Sequence, residues 1–229
     1  MDYGANSVWK ELGRPKSLRQ QVADQIINAL ALGHLKPGQR IVELELAQNL
    51  GISRAPIREA LIQLEQEGLV HVVPYKGTYV MDLNYTGVWE LYTLRAVLEE
   101  FAIRRVMESN IRDTITSLWD IYDKMIEVCN TGNKLQMAEL DSKFHEIIVR
   151  GADHEQLYRA WYPLKYKYMF YTITIDKNYS SSLEIVVKMH EKLIETMENG
   201  EVEKAVEEIK SHIIETGKLL LSQVADHGI

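Results

Sequence analysis

The sequence predicts a mainly α protein in two parts: three short helices with a small β-hairpin, then an all-α antiparallel helical bundle. Three observations predict it. Gly51–Gly68, GISRAPIREALIQLEQEG, reads as a tight turn and a capped helix directly behind a shorter helix. Leu69–Val80 holds two β-branched runs around Tyr75-Lys76-Gly77, a hairpin signal. From residue 84 onward the apolar stripes have helical spacing, with no β–α alternation and no phosphate-binding glycine loop.

Residues 1–16 are polar, contain glycine and proline, and read as a flexible N-terminal arm. A helix follows from Pro15 or Ser17, with Leu18, Val22, Ile26, Ala29 and Leu30 as its stripe and Gly33 as its end. Leu35-Lys36-Pro37-Gly38 is a turn, and Ile41-Val42 a brief extended piece. Glu43–Leu50 is a short helix capped by Gly51. In the next helix Ser53 is placed to cap, Pro56 sits in the first turn, and Ile57, Leu61 and Leu64 face inward. Gly68 suits the left-handed cap at its end. Two short helices joined by a glycine turn form a helix-turn-helix, and the hairpin behind it forms a wing. Six helices are then expected, at Thr86–Glu108, Ile111–Val128, Leu135–Arg150, Gln156–Ile175, Leu183–Glu198 and Val202–Val224. The breaks between them include Asn178–Ser182. The domains expected are therefore 17–83 for the winged helix-turn-helix and 84–229 for the bundle.

The chain has 229 residues, 46% of them hydrophobic, enough for real cores. No run approaches the roughly 18 apolar residues of a membrane span, and the first residues lack the apolar core of a signal peptide. The single cysteine, Cys129, excludes a disulfide framework and a cysteine-based zinc site. A reducing cytoplasm fits. Net charge is −7, which weighs against a nucleic-acid binder until it is divided along the chain. Residues 1–83 hold 9 Lys+Arg against 9 Asp+Glu, leaving 17 against 24 for the rest. A DNA contact would therefore come from a local patch on the first part, with the acidic second part held away from the phosphates.

Arg54 and Arg58 lie four apart and project together from the second helix of the helix-turn-helix. Arginine donates bidentately to guanine or clamps phosphate, which suits a helix in the major groove. The alternative is an ordinary surface helix with two solvated arginines, but the turn and the wing around it favour DNA.

The run PGQRIVELELAQNLGISRAPIREALIQLEQEGLVHVVPYKGTYV resembles the winged helix-turn-helix of the GntR family of bacterial transcription regulators. The resemblance implies DNA contacts by Ser53, Arg54 and Arg58 on the recognition helix and by Lys76 and Gly77 on the wing. Arg40 is a further candidate for phosphate. Leu44 stands where some members carry a DNA-contacting arginine, so that contact is missing.

In the second part, Asp141 and His145 are four apart, while His190 and His212 sit on two later helices beside apolar stripes. One carboxylate and three imidazoles converging in a bundle would hold zinc, nickel, cobalt or manganese with positions to spare. The alternative is a set of hydrogen-bonded helix histidines. His154 and His227 read as bland. The segments Asp141-x-x-Phe144-His145, Met189-His190 through Gly200, and Ala205–His212 resemble the effector-binding FCD domain of the FadR subfamily, in its six-helix vanillate-regulator-like branch. That resemblance implies a divalent metal, zinc foremost, on Asp141, His145, His190 and His212. It also implies that Arg95 reaches the pocket to anchor a ligand carboxylate; the alternative for Arg95 is an i,i+4 pair with Glu99. Tyr158, Tyr162 and Tyr166 form a stripe beside Pro163 that reads as core.

Together these point to a homodimeric, bacterial cytoplasmic transcription regulator, more in the manner of a repressor, at the nucleoid when bound to DNA. It would bind a pseudo-palindromic operator and respond to a small carboxylate metabolite. It would be neither an enzyme nor a membrane protein. Two other classes stay open: metal-assisted hydrolysis, for which Glu146 is the adjacent base, and a ligand-free dimerisation module.

Overall fold

The computed structural model describes residues 16–82, 84–109, 111–175 and 183–225. All but the last residue of the arm expected over 1–16, the break at Asn178–Ser182 and His227 lie outside the described residues. Ser17 opens α1 (Leu18–Ala31), its hydroxyl accepting from Gln20 N at 3.2 Å. After β1 (Arg40–Ile41) come α2 (Glu43–Leu50) and α3 (Arg54–Gln66). Gly51 joins the two helices at φ 66, a left-handed conformation that glycine adopts without steric cost. Ile57, Ala60, Leu61 and Leu64 bury the inner face of α3 against α1. Each large aliphatic contributes about 1.5–3 kcal/mol on burial, more than a cap's roughly 1 kcal/mol. Packing, rather than local propensity, therefore holds this helix.

The wing is β2 (Val70–Val73) and β3 (Gly77–Val80), antiparallel in the register Val72↔Thr78. The extended piece expected at Ile41-Val42 is β1, shifted by one residue. It pairs with the far edge of β3 through Arg40↔Tyr79, giving the strand order β1-β3-β2. Two residues carry no readable period, so the sequence could not show this third strand's partner.

The remainder is helical: α4 (Tyr85–Glu108), α5 (Ile111–Thr131), α6 (Lys134–Gly151), α7 (Glu155–Ile175), α8 (Leu183–Glu198) and α9 (Val202–Ala225). The six expected helices are all present, with α5 extending three residues further than expected. Asn84 caps α4, accepting from Gly87 N at 2.6 Å. α4 packs on α6, α7 and α9 and is the central helix of this part. It meets α9 closely at Gly217, where an added Cβ would stand 2.8 Å from Tyr92 Cβ.

One expectation fails. Tyr158, Tyr162 and Tyr166 are half-buried or exposed rather than core. The buried face of α7 carries Leu157, Trp161 and Tyr168 instead. The tyrosine stripe lies on another face and keeps its hydroxyls among polar groups: Tyr158 beside Arg150 and Glu146, Tyr162 against Tyr166. No described helix is long and apolar enough to cross a membrane.

Candidate nucleic-acid interface and metal centre

Two regions gather the candidate residues. The first lies between the start of α3 and the wing. Arg40, Leu44, Arg54, Tyr75, Lys76 and Gly77 line a shallow cleft there of about 320 Å³. The Arg40 guanidinium lies over Gly77, with Nε 3.2 Å from where a Cβ would stand. Any larger residue at 77 would push the arginine aside. Arg54 Nη2 and Arg58 Nε both donate to one oxygen, Glu43 Oε2, at 2.7 and 2.8 Å. Burial would raise the Glu43 carboxyl, but the two guanidiniums outweigh it and hold it below its ordinary value. The two arginines are thus pinned as a fork at the start of the recognition helix.

Ser53 stands at the N-cap position with extended backbone, but its side chain makes no capping hydrogen bond. A cap accepts from the second or third amide of the helix; Pro56 removes the third, and the hydroxyl makes no bond to the second, on Ala55. The exposed hydroxyl is left facing solvent beside Arg54.

Two residues here escaped the sequence reading. Glu43 looked like an ordinary first-turn acid, and its partners lie 11 and 15 positions away, beyond any helical spacing. Tyr75 looked like a turn residue. It is fully exposed at the wing tip with φ 63, a conformation costing a non-glycine residue about 1–2 kcal/mol.

The second region is inside the helical part. One ligand atom from each of Asp141, His145, His190 and His212 falls within 4.8 Å of every other. α6 supplies the first two, α8 and α9 the others. His190 Nδ1 lies 2.7 Å from Val186 O. A carbonyl only accepts, so Nδ1 carries the proton and Nε2 of the neutral ring offers a lone pair. His145 Nδ1 meets Glu99 Oε2 at 2.5 Å, which leaves its Nε2 in the same state. These Nε2 atoms stand 3.2 and 3.8 Å from Asp141 Oδ1, and His212 Nε2 is 3.2 Å from His145 Nε2. Lone pairs this close repel unless a proton or a cation stands among them. His190 Nε2 and His212 Nδ1 are buried with no hydrogen-bond partner among the described residues. The donor set therefore fits a divalent cation, with nitrogen ligands suited to zinc and its neighbours.

The lowered Asp141 and His212 favour a cation at this place, whereas the raised His145 favours a proton there. Burial would raise Asp141, yet His145 and His190 hold it well below the usual carboxylate range. Burial, reinforced by His190 and His145, pushes His212 well down. Burial alone would lower His145 as well, but Glu99 reverses it and the net shift is upward.

Behind the cluster lies a carboxylate that sequence reasoning weighed only as a partner for Arg95. Glu99 is fully buried and accepts from Arg95 Nε at 2.6 Å, Trp161 Nε1 at 2.8 Å and His145 Nδ1. Its carboxyl would rise on burial, but Arg95 and His145 bring it down to about 2. The i,i+4 pair with Glu99, the alternative reading of Arg95, does form, and both side chains are buried. The Arg95 guanidinium stacks 3.7 Å from the Tyr168 ring centroid, and its Nη2 is buried without a partner among the described residues. Glu146, the adjacent candidate base, faces elsewhere. One helical step turns it away from His145, onto Lys165 at 2.9 Å and Arg150 at 2.8 Å. Burial opposes its charge, but Lys165 and Arg150 bring it down to about 2, an unsuitable value for a base near neutrality.

The family model of the bacterial regulatory proteins of the gntR family matches residues 18–80, and that of the FCD domain matches 90–215. The chain is 29% identical over 197 residues, 86% of each chain, to the "Probable D-xylose utilization operon transcriptional repressor" of Paenarthrobacter nicotinovorans. It is 35% identical over 129 residues to the Nta operon transcriptional regulator of Aminobacter aminovorans, covering 56% of this chain and 60% of that one. Among solved structures it resembles McbR/YncC of E. coli with a TM-score of 0.75 at 21% identity, covering 92% of this chain and all of that one. A GntR regulator of Rhodococcus sp. RHA1 gives a TM-score of 0.74 at 18% identity, covering 90% of this chain and 99% of that one. Such relatives are transcription regulators, not enzymes. A gntR-type helix-turn-helix followed by an FCD domain makes this chain a member of the GntR family of transcription regulators, on its FadR-like side.

Proposed function

We propose that this regulator is a homodimeric repressor whose operator affinity is set by a small organic acid bound beside a divalent metal. Residues 17–83 read the operator and residues 84–229 bind ligand and dimerise. Arg54 and Arg58, freed from Glu43, contact base edges or phosphates, with Ser53, Arg40, Lys76 and Gly77 positioning the duplex. Asp141, His145, His190 and His212 hold the metal, which supplies a Lewis-acidic position for a ligand carboxylate. Arg95 Nη2 takes the carboxylate's other oxygen, while Glu99 orients both Arg95 and His145. The observation that carries this reading is the convergence of four ligand atoms within 4.8 Å, tied through Glu99 to a guanidinium with an uncommitted donor.

The route to DNA is short. α4 carries Arg95 and Glu99 and begins five residues after the last strand of the wing ends. A ligand that favours one position of α4 changes DNA affinity by its difference in affinity for the two arrangements, and by no more. Dimerisation is supported by an apolar stripe along the outer face of α4: Tyr85, Trp89, Val97 and Phe101, all exposed. A two-fold partner covering it would align two recognition helices on two half-sites. Val97→Asp is expected to yield monomer by light scattering; an unchanged dimer places the interface elsewhere.

The deciding experiment is metal content of untagged protein by plasma mass spectrometry, beside Asp141→Ala/His190→Ala. About one metal per chain, lost in the variant, is the expected result. An absence of metal after supplementation refutes the metal pocket and leaves Arg95 as the anchor to test.

A further inference from the structure

A second cavity lies between the helix-turn-helix part and the helical part, apart from the histidine cluster. It is a partly open cleft of about 280 Å³ among α1, the end of α3, α6 and α7. Small-molecule sites span roughly 300–1,000 Å³, so a small ligand suits it. Three atoms in its wall are buried with no hydrogen-bond partner among the described residues: Gln63 Oε1, Glu67 Oε2 and Ser142 Oγ. Glu67 is 9% exposed and Ser142 1%. Buried polar atoms are nearly always satisfied, and an unsatisfied carboxylate oxygen is among the costliest exceptions.

Several of the neighbouring donors are already committed. Gln63 Nε2 already donates to Glu67 Oε1 at 2.9 Å, which leaves the Gln63 carbonyl oxygen unmatched. The two lysines of the wall are engaged: Lys16 Nζ with Asp24 at 2.6 Å, Lys165 Nζ with Glu146 at 2.9 Å. Glu139 adds another carboxylate to the same wall. Burial pushes the Glu67 carboxyl up, and Gln63 and Lys165 only partly oppose it. Asp24, Glu67 and Glu139 face two engaged lysines, so the wall is net negative and keeps Glu67 Oε2 and Gln63 Oε1 as open acceptors.

We infer that this cavity binds a small organic cation bearing N–H donors, an alkylammonium or a guanidinium. Its donors would meet Glu67 Oε2, Gln63 Oε1 and Ser142 Oγ together. Glu67 caps the recognition helix, and Ser142 follows Asp141 on α6. An occupant would therefore bridge the DNA-reading helix to the helix that carries two of the candidate metal ligands. It is an input separate from the acid pocket and stands or falls without it.

The test is titration calorimetry of the full chain with propylammonium, methylguanidinium and tetramethylammonium chlorides, the last having no N–H donor. The expected result is saturable one-to-one binding of the first two in the millimolar range or tighter. Tetramethylammonium should bind about tenfold more weakly or worse, the loss expected when charged hydrogen bonds are missing. Glu67→Gln should lower affinity by a similar factor, and added EDTA should leave it unchanged. If Glu67→Gln does not fold, Ser142→Ala and Gln63→Leu carry the same comparison. No saturable binding, equal binding of tetramethylammonium, equal affinity in the folded cavity variants, or loss of binding on chelation would each overturn the assignment.

Discussion

The chain holds two arginine–glutamate clusters built from the same chemistry and set in opposite environments. At the recognition helix, Glu43 holds Arg54 and Arg58 in an exposed fork. In the helical part, Glu99 holds Arg95 with both side chains almost wholly excluded from water. An exposed pair of this kind is worth about 0–1 kcal/mol and is screened by salt. Its partners can exchange Glu43 for phosphate at little cost, which is what a DNA-reading surface requires. The buried pair has no such freedom. Breaking it strands a charge in a low-dielectric interior, so it fixes geometry instead of exchanging partners.

The largest expected effect breaks the buried cluster. Glu99→Ala leaves Arg95, Trp161 and His145 without their common acceptor and should cost about 3–5 kcal/mol, read from urea unfolding. A loss under about 1 kcal/mol would mean that the two clusters do not differ in kind. Next comes Arg58→Ala, expected to cost about 1–3 kcal/mol of discrimination between a selected operator and random duplex. A uniform loss on both DNAs would make Arg58 a phosphate clamp rather than a base reader. Tyr75→Gly should then relieve about 1–2 kcal/mol of backbone strain in a thermal melt while weakening operator binding. Tighter binding by that variant would show that the wing tip does not touch DNA.

The smallest effect sharpens the comparison. Glu43→Gln should change stability by about 1 kcal/mol or less, yet raise affinity for random duplex and steepen its salt dependence, because two cations lose their internal competitor. Unchanged DNA affinity would show that the fork does not open on binding. The pH sign is set by the lowered Glu43 carboxyl. The pair's contribution is present above the ordinary carboxylate range and is lost as pH falls through the lowered value.

Much of this protein was legible without coordinates. The apolar stripe at Ile57, Leu61 and Leu64 repeats at helical spacing, so α3 and its buried face follow from periodicity alone. Gly51 and Gly68 mark the two ends of the turn-helix unit because left-handed caps favour glycine. The candidate ligands Asp141, His145, His190 and His212 were readable as residue types on three helices, but spacing over dozens of residues carries no distance. Glu99 was visible only as a local partner for Arg95. Its meeting with His145, 46 positions away, depends on how α4 packs against α6.

The sequence by itself determined the elements, their order and most of the faces they bury, the tyrosine stripe of α7 excepted, because those depend on short-range periodicity and turn chemistry. The tertiary structure alone decided which charges meet. It brought Glu43 to both arginines and Glu99 to arginine, tryptophan and histidine together, and it turned Glu146 away from the cluster beside it. It also left Glu67 and Ser142 facing one cavity without donors. Such meetings follow from the packing of whole helices, where a rotation by one residue, about 100°, redirects every side chain.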